Sequence, residues 1–232
     1  MGKLLTEDGF LTLPLYHGTS SYYWPSIKQN GLGGANIVEQ WRLIPMLKEA
    51  LSVLRSIDDE QVVHEMALRL PLLDSIAEQR VTRGGFNFRH GGVYLTCSPR
   101  RAVSYASRGF GSELVGQIAE TMDLLEGVRP DAAAALLDRY PMVEAARSGE
   151  HRPVLIEVPN ISLDRLRSDK GDDPHATVVL ADSLFAMAAD GSLQVDFELT
   201  GILEPREFAA SEIEVTDWGY GFPKTWTSTA LT

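Results

Sequence analysis

Gly92-Val93-Tyr94-Leu95-Thr96-Cys97-Ser98-Pro99 is the stretch from which the fold is read. Val93 to Thr96 is rich in β-branched, aromatic and aliphatic residues and reads as a short strand. Ser98 is a good N-cap, and Pro99 suits a first helical position, where the missing N–H costs nothing. The helix that follows, Pro99 to Ser107, turns Ala102, Val103 and Ala106 inward and carries Tyr105, eleven positions after Tyr94. A lone strand tyrosine is normally a packing residue. Here the strand, the cap and about two helical turns are expected to bring Tyr105 back to the mouth of the strand holding Tyr94. Two aromatic faces so placed suit a flat cationic ring, held by stacking and cation–π attraction.

Upstream, Leu11 to His17 alternates as a half-buried strand does, and Tyr16-His17-Gly18-Thr19 follows from it. A short helix is expected over Trp24–Gln29, with Pro25 in its first turn and Asn30-Gly31 at its end. Between residues 37 and 80, apolar residues recur at helical spacing in two segments separated by Ser56-Ile57-Asp58-Asp59. Pro45 and Pro71 are candidate kinks. This is expected to be a helical insertion whose outer face presents Glu39, Lys48, Glu49, Arg55 and Arg69. Gly84-Gly85 and Gly91-Gly92 bracket a loop that includes Arg89 and His90. Downstream, helices are expected over 113–126 and 131–147, strands over 154–158, 192–203 and 213–216, and a polar loop over 169–174. Trp218, Tyr220, Phe222 and Trp226 lie among glycines and suggest packing or a lid. Strands at both ends with helices between them give one α+β domain over residues 1–232, with the insertion at about 37–80.

Composition narrows the function. The net charge of −11 weighs against a general nucleic-acid coat, though not against a local basic cleft. A single cysteine, Cys97, rules out an internal disulfide or a multi-cysteine metal site. Glu7 and Asp8 interrupt the region a signal peptide would need apolar, and no apolar run is long enough to span a membrane. The expected setting is the cytoplasm, or secretion as an effector without a classical signal, with no membrane partner and no metal. Walker, dinucleotide-fold and His-Glu-x-x-His patterns are missing.

Three further features carry chemistry. His17 precedes Gly18, where a bare backbone lets an amide ligand bond both N–H and C=O. On the strand around 195–199, Glu198 alternates with Val195, Phe197 and Leu199 and so faces away from the side Phe197 serves. Asp196 shares its face and is the rival acid; Glu157 is a weaker third. Finally, Arg80, Arg83, Arg89, Arg100, Arg101 and Arg108 fall in a run without Asp or Glu. Arginine forks suit phosphate, so these residues mark a candidate phosphate cradle.

The ordered set His17-Gly18-Thr19, Gly92-Val93-Tyr94 with Tyr105, and Glu198 resembles the ADP-ribosyltransferase superfamily of the His-Tyr-Glu type, over about half of the chain. The resemblance implies a split β-sheet core with NAD as co-substrate. It gives His17, Tyr94 and Glu198 catalytic roles and places His17, Gly18, Thr19, Tyr94, Tyr105 and Arg89 around NAD. Tyr94 and Tyr105 would flank the nicotinamide. Glu198 would bond the ribose 2′-hydroxyl and stabilise positive charge on C1′ as the glycosidic bond breaks. The implied reaction transfers ADP-ribose to a macromolecular acceptor, protein or nucleic acid, as a bacterial toxin or phage-defence enzyme does. Ala102 departs from the pattern, standing where related enzymes often keep a serine that bonds nicotinamide. RNA 2′-phosphotransferases, which share a related cleft, and a non-catalytic module that only holds NAD or ADP-ribose are the alternatives.

Overall fold

The computed structural model describes residues 4–81, 87–168, 173–185, 195–219 and 222–231. Its strands are β1 (Leu15–Ser20), β2 (Tyr94–Thr96), β3 (Pro153–Val158), β4 (Leu166–Ser168), β5 (Asp196–Leu199), β6 (Ala209–Gly219) and β7 (Phe222–Ala230). They form one open sheet in the order β4-β5-β2-β1-β3-β6-β7, antiparallel at every pairing. With the helices, this is an α+β structure. No helix of the described residues is long and apolar enough to cross a membrane.

The chain divides into two compact units. The first comprises Met1–Ala35, Gly92–Gly111 and His151–Thr232; the second comprises Asn36–Gly91 and Ser112–Glu150. The sheet unit holds every strand of the described residues, with α1 (Trp24–Asn30), α5 (Pro99–Ala106) and α9 (Pro174–Phe185). Its core gathers Leu15 from β1, Leu95 from β2, Val154, Ile156 and Val158 from β3, and Phe197 from β5, all buried. Each such side chain removed from water is worth about 1.5–3 kcal/mol. Helix α5 begins as its sequence suggests: the Ser98 hydroxyl accepts the Arg101 N–H, Pro99 opens the first turn, and Ala102, Val103 and Ala106 are buried.

The helical unit is larger than the expected insertion. It contains α2 (Ile37–Gln40), α3 (Leu43–Arg55) and α4 (Glu60–Ala77), together with α6 (Glu113–Val128), α7 (Pro130–Arg139) and α8 (Pro141–Ser148). Leu43, Met46, Leu47, Ala50, Leu51 and Leu54 make one buried stripe on α3, and Leu114, Val115, Ile118, Met122 and Leu125 make one on α6. Amphipathic helices of this kind must find partners, and α3 packs against α4, α6 and α7. Residues expected on an outer face therefore bond to neighbouring helices. Glu49 accepts from the Tyr140 hydroxyl at 2.7 Å and pairs with Arg139 at 2.7 Å, and Arg69 pairs with Glu120 at 2.7 Å.

Other boundaries shift for local reasons. β1 starts at Leu15 and runs through Ser20, so His17-Gly18-Thr19 lies inside the strand. Pro45 falls in the first turn of α3 and breaks nothing, whereas Pro71 sits inside α4. The 131–147 segment is two helices, parted at Tyr140-Pro141. Trp218, Phe222 and Trp226 belong to a β6–β7 hairpin. Gly84-Gly85, Arg83, most of the 169–174 loop, Ser192 to Gln194 and Tyr220 lie outside the described residues.

Candidate functional site

The sheet is joined unevenly at β1. Six register pairs tie it to β3, from Leu15↔Val158 to Ser20↔Pro153, whereas one pair, Tyr16↔Thr96, ties it to β2. Two residues on, a continuing ladder would set Gly18 opposite Tyr94. There the His17 ring enters instead, with Nδ1 at 2.9 Å from the Tyr94 carbonyl oxygen. A carbonyl only accepts, so Nδ1 carries the proton and the neutral ring presents Nε2 as an acceptor. Burial pulls the His17 pKa below its ordinary value, only partly opposed by the bond to Tyr94, and the ring is neutral at pH 7.

Gly18 has a structural duty the sequence did not reveal. A Cβ there would lie 1.9 Å from the Ala102 carbonyl oxygen, so α5 can rest on β1 only because position 18 is bare. The same contact places the Ala102 backbone directly against the His-Gly-Thr strand. Thr19 is buried beside it.

Tyr94, Glu198 and Arg167 form a row across three strands. Tyr94 is the register partner of Glu198, and Glu198 that of Arg167, so the three side chains share one face. Far from being a solvated strand carboxylate, Glu198 is only 6% exposed. Arg167 grips it with both arms of the fork, Nε to Oε2 at 2.9 Å and Nη2 to Oε1 at 2.7 Å. That bond holds the Arg167 pKa above its ordinary value. On a third side stands Gly92, where a Cβ would lie 2.7 Å from Glu198 Oε1. The Gly-x-Tyr motif thus brings its tyrosine opposite the acid and keeps the space beside the acid clear.

Asp196, the rival acid, occupies a different setting. It pairs with Arg101 of α5 at 3.0 Å, and the same guanidinium lies over the Tyr105 ring, 5.8 Å from its centroid. Tyr105 itself is half exposed. The ring expected to receive a flat cation thus already has a protein cation across one face. Glu157 is exposed on β3, opposite Tyr16; burial raises the Tyr16 pKa, and the Glu157 charge raises it further. Burial also pushes the Cys97 thiol up to about 12, with Asp196 adding to the shift. A thiolate nucleophile is therefore not available there.

Of the arginine run, Arg80 and Arg89 fall in the helical unit and Arg100, Arg101 and Arg108 in the sheet unit. Arg100 donates to the Pro223 carbonyl at 2.8 Å and lies over Phe222, Arg108 lies over Trp218, and Arg80 pairs with Glu78. Arg89 and His90 belong to the helical unit. The Arg89 backbone N–H and Nε both donate to Asn87 Oδ1. The His90 backbone N–H donates to Gln79 Oε1 at 2.7 Å. Among the described residues, no group of three His, Cys, Asp or Glu is placed to hold a metal ion.

Arg167 is the site residue that sequence reasoning missed. Its strand is three residues long, and Leu166-Arg167-Ser168 is too short to show a period of two against its polar surroundings. No family model matches the chain, and neither does any curated protein or solved structure.

Proposed function

We propose that the sheet unit is the catalytic centre of an NAD-dependent ADP-ribosyltransferase of the His-Tyr-Glu type. One observation carries the reading: His17, Tyr94 and Glu198, far apart in sequence, stand on the adjacent strands β1, β2 and β5. The His17 ring bonds the Tyr94 backbone, and Tyr94 faces Glu198 in register. The weak β1–β2 junction supports a split-sheet core, since a cleft needs a place where the ladder stops.

In this mechanism the bond between C1′ of the ribose and the pyridinium nitrogen breaks. Its electron pair goes to nitrogen and leaves as neutral nicotinamide. The electron-poor C1′ is then attacked by an acceptor nucleophile, which gives up its proton. Glu198 accepts the 2′-hydroxyl hydrogen bond and lies close to the developing positive charge, where a fixed carboxylate lowers the barrier. Tyr94 packs against the nicotinamide. His17, neutral with Nε2 as acceptor, receives a ribose hydroxyl. Ala102 gives the amide no hydroxyl, so its recognition falls to the backbone of β1 and to Thr19. The acceptor is a macromolecule, protein or nucleic acid.

Nicotinamide release from NAD, with and without candidate acceptors, tests the reading. Glu198→Gln is expected to leave NAD affinity within a few fold and to lower turnover about 10²-fold or more, because it removes charge needed only in the transition state. Binding of NAD without cleavage by the wild-type chain would make this a recognition module. Crippling by Asp196→Asn with Glu198→Gln unaffected would move the acid.

A further inference from the structure

We infer that Arg167 is a positioning residue: it fixes the Glu198 carboxylate in the one orientation from which that carboxylate can act on the ribose. This rests on the reading of the sheet unit as an NAD-cleaving centre. Three observations converge on the orientation. The fork of Arg167 meets both carboxylate oxygens, at 2.9 and 2.7 Å, so rotation about the terminal bond of Glu198 breaks at least one contact. The two residues are register partners on adjacent strands, so their backbones are locked at ladder spacing. Gly92 lies close by on another side, where a Cβ would fall 2.7 Å from Oε1.

The pair is lopsided in a way that suits this task. The Glu198 side chain is 8% exposed and that of Arg167 44% exposed. Arginine therefore covers the acid from the solvent side and supplies its counter-charge. An ionised carboxylate has room for about four hydrogen bonds, and a bidentate guanidinium uses two. The grip of Arg167 by itself therefore orients Glu198 without exhausting its capacity to accept. Lysine cannot substitute, because an ammonium is a point donor that leaves the carboxylate free to rotate.

The test is kinetic and uses the whole chain. Arg167→Ala is expected to lower kcat for nicotinamide release about 10²-fold, the usual cost of an ångström-scale misplacement, with KM within a few fold. Millimolar guanidinium is expected to restore part of the rate, and methylammonium at the same concentration none of it. Arg167→Lys keeps the buried acid charge-compensated and folded, and is expected to lose rate without rescue by guanidinium. On a Glu198→Gln background, Arg167→Ala should cost little more, because Arg167 acts through that carboxylate.

Wild-type kcat in Arg167→Lys, equal rescue by both cations, or a full additional loss on the Glu198→Gln background would overturn the inference. So would a raised KM with unchanged kcat, which would mean that Arg167 binds substrate. A wild-type chain that releases no nicotinamide would instead refute the NAD-cleaving reading on which the inference rests.

Discussion

A methyl group at position 92 would be built into space that the Glu198 carboxylate already fills. The Cβ of Gly92→Ala would stand 2.7 Å from Oε1, and ordinary contact begins at 3.4 Å, so the oxygen has to retreat by about 0.7 Å. A flexible glutamate on a surface would make that move freely. Here the same oxygen receives Arg167 Nη2 at 2.7 Å, and the side chain is buried. Retreat stretches or breaks a charge-assisted bond worth about 1.5–3 kcal/mol and moves the acid by most of an ångström, a displacement that costs on the order of 10²-fold in rate. Gly92→Ala is therefore expected to lower kcat for nicotinamide release by one to two orders of magnitude while the chain still folds. The paired control is Gly18→Ala, whose Cβ would meet the Ala102 carbonyl at 1.9 Å. A backbone oxygen of a packed helix has nowhere to go, so this substitution is expected to cost several kcal/mol of stability, as overpacking and backbone displacement do together. Thermal melting and nicotinamide release, measured on both variants, separate the two effects. Wild-type turnover in Gly92→Ala would refute the argument, because it would show that Glu198 does not act from where the structure holds it.

Three other outcomes follow from particular contacts. Burial pulls the His90 pKa down to about 4 from 6.5, and its Nε2 is buried without a hydrogen-bond partner. The unfolded chain therefore binds this proton first, and about 3 kcal/mol of stability is lost as pH falls from 6.5 to 4; urea unfolding across that range should show a smaller loss in His90→Asn. Cys97, pushed up to about 12, is expected to react with iodoacetamide at pH 8 far more slowly than a free thiol, and alkylation at the free-thiol rate would contradict its burial. Replacing residues 37–80 with a glycine-serine linker is expected to expose α6 to α8 to limited proteolysis, since Glu49 and Arg69 lose Tyr140, Arg139 and Glu120; an intact, helical 112–150 segment would show that the first half only decorates the second.

The parts of the site that could be read from sequence are those written in short range. Ser98-Pro99 announced α5, alternation placed Glu198 opposite Phe197, and the Tyr94–Tyr105 spacing described a strand that feeds a helix. What escaped depends on residues distant in sequence. Arg167 has no local pattern, because a three-residue strand has no room for one. Of the β6–β7 hairpin only residues 213–216 were legible as strand, because much of its length is polar and exposed and lacks the apolar alternation that marks a half-buried edge. The packing role of Gly18 depends on Ala102, far along the chain, and leaves no local signature. Glu49 and Arg69 looked like solvent-facing charges because their partners lie 51 or more positions away.

The strand order has a consequence for how the chain acquires its fold. β1 is the sheet's middle strand and leaves the ribosome before the others, yet its neighbours β2 and β3 begin at Tyr94 and Pro153, and β5 only at Asp196. Pairings of such wide sequence separation are slow to nucleate, because the intervening chain must be ordered before they repay its entropy. Contacts between helices adjacent in sequence, such as α3 with α4 and α6 with α7, are local and can form during synthesis. His17 can therefore meet its carbonyl partner in β2 long before β5 emerges, and a chain cut before Glu198 holds His17 and Tyr94 without the register partner of Tyr94.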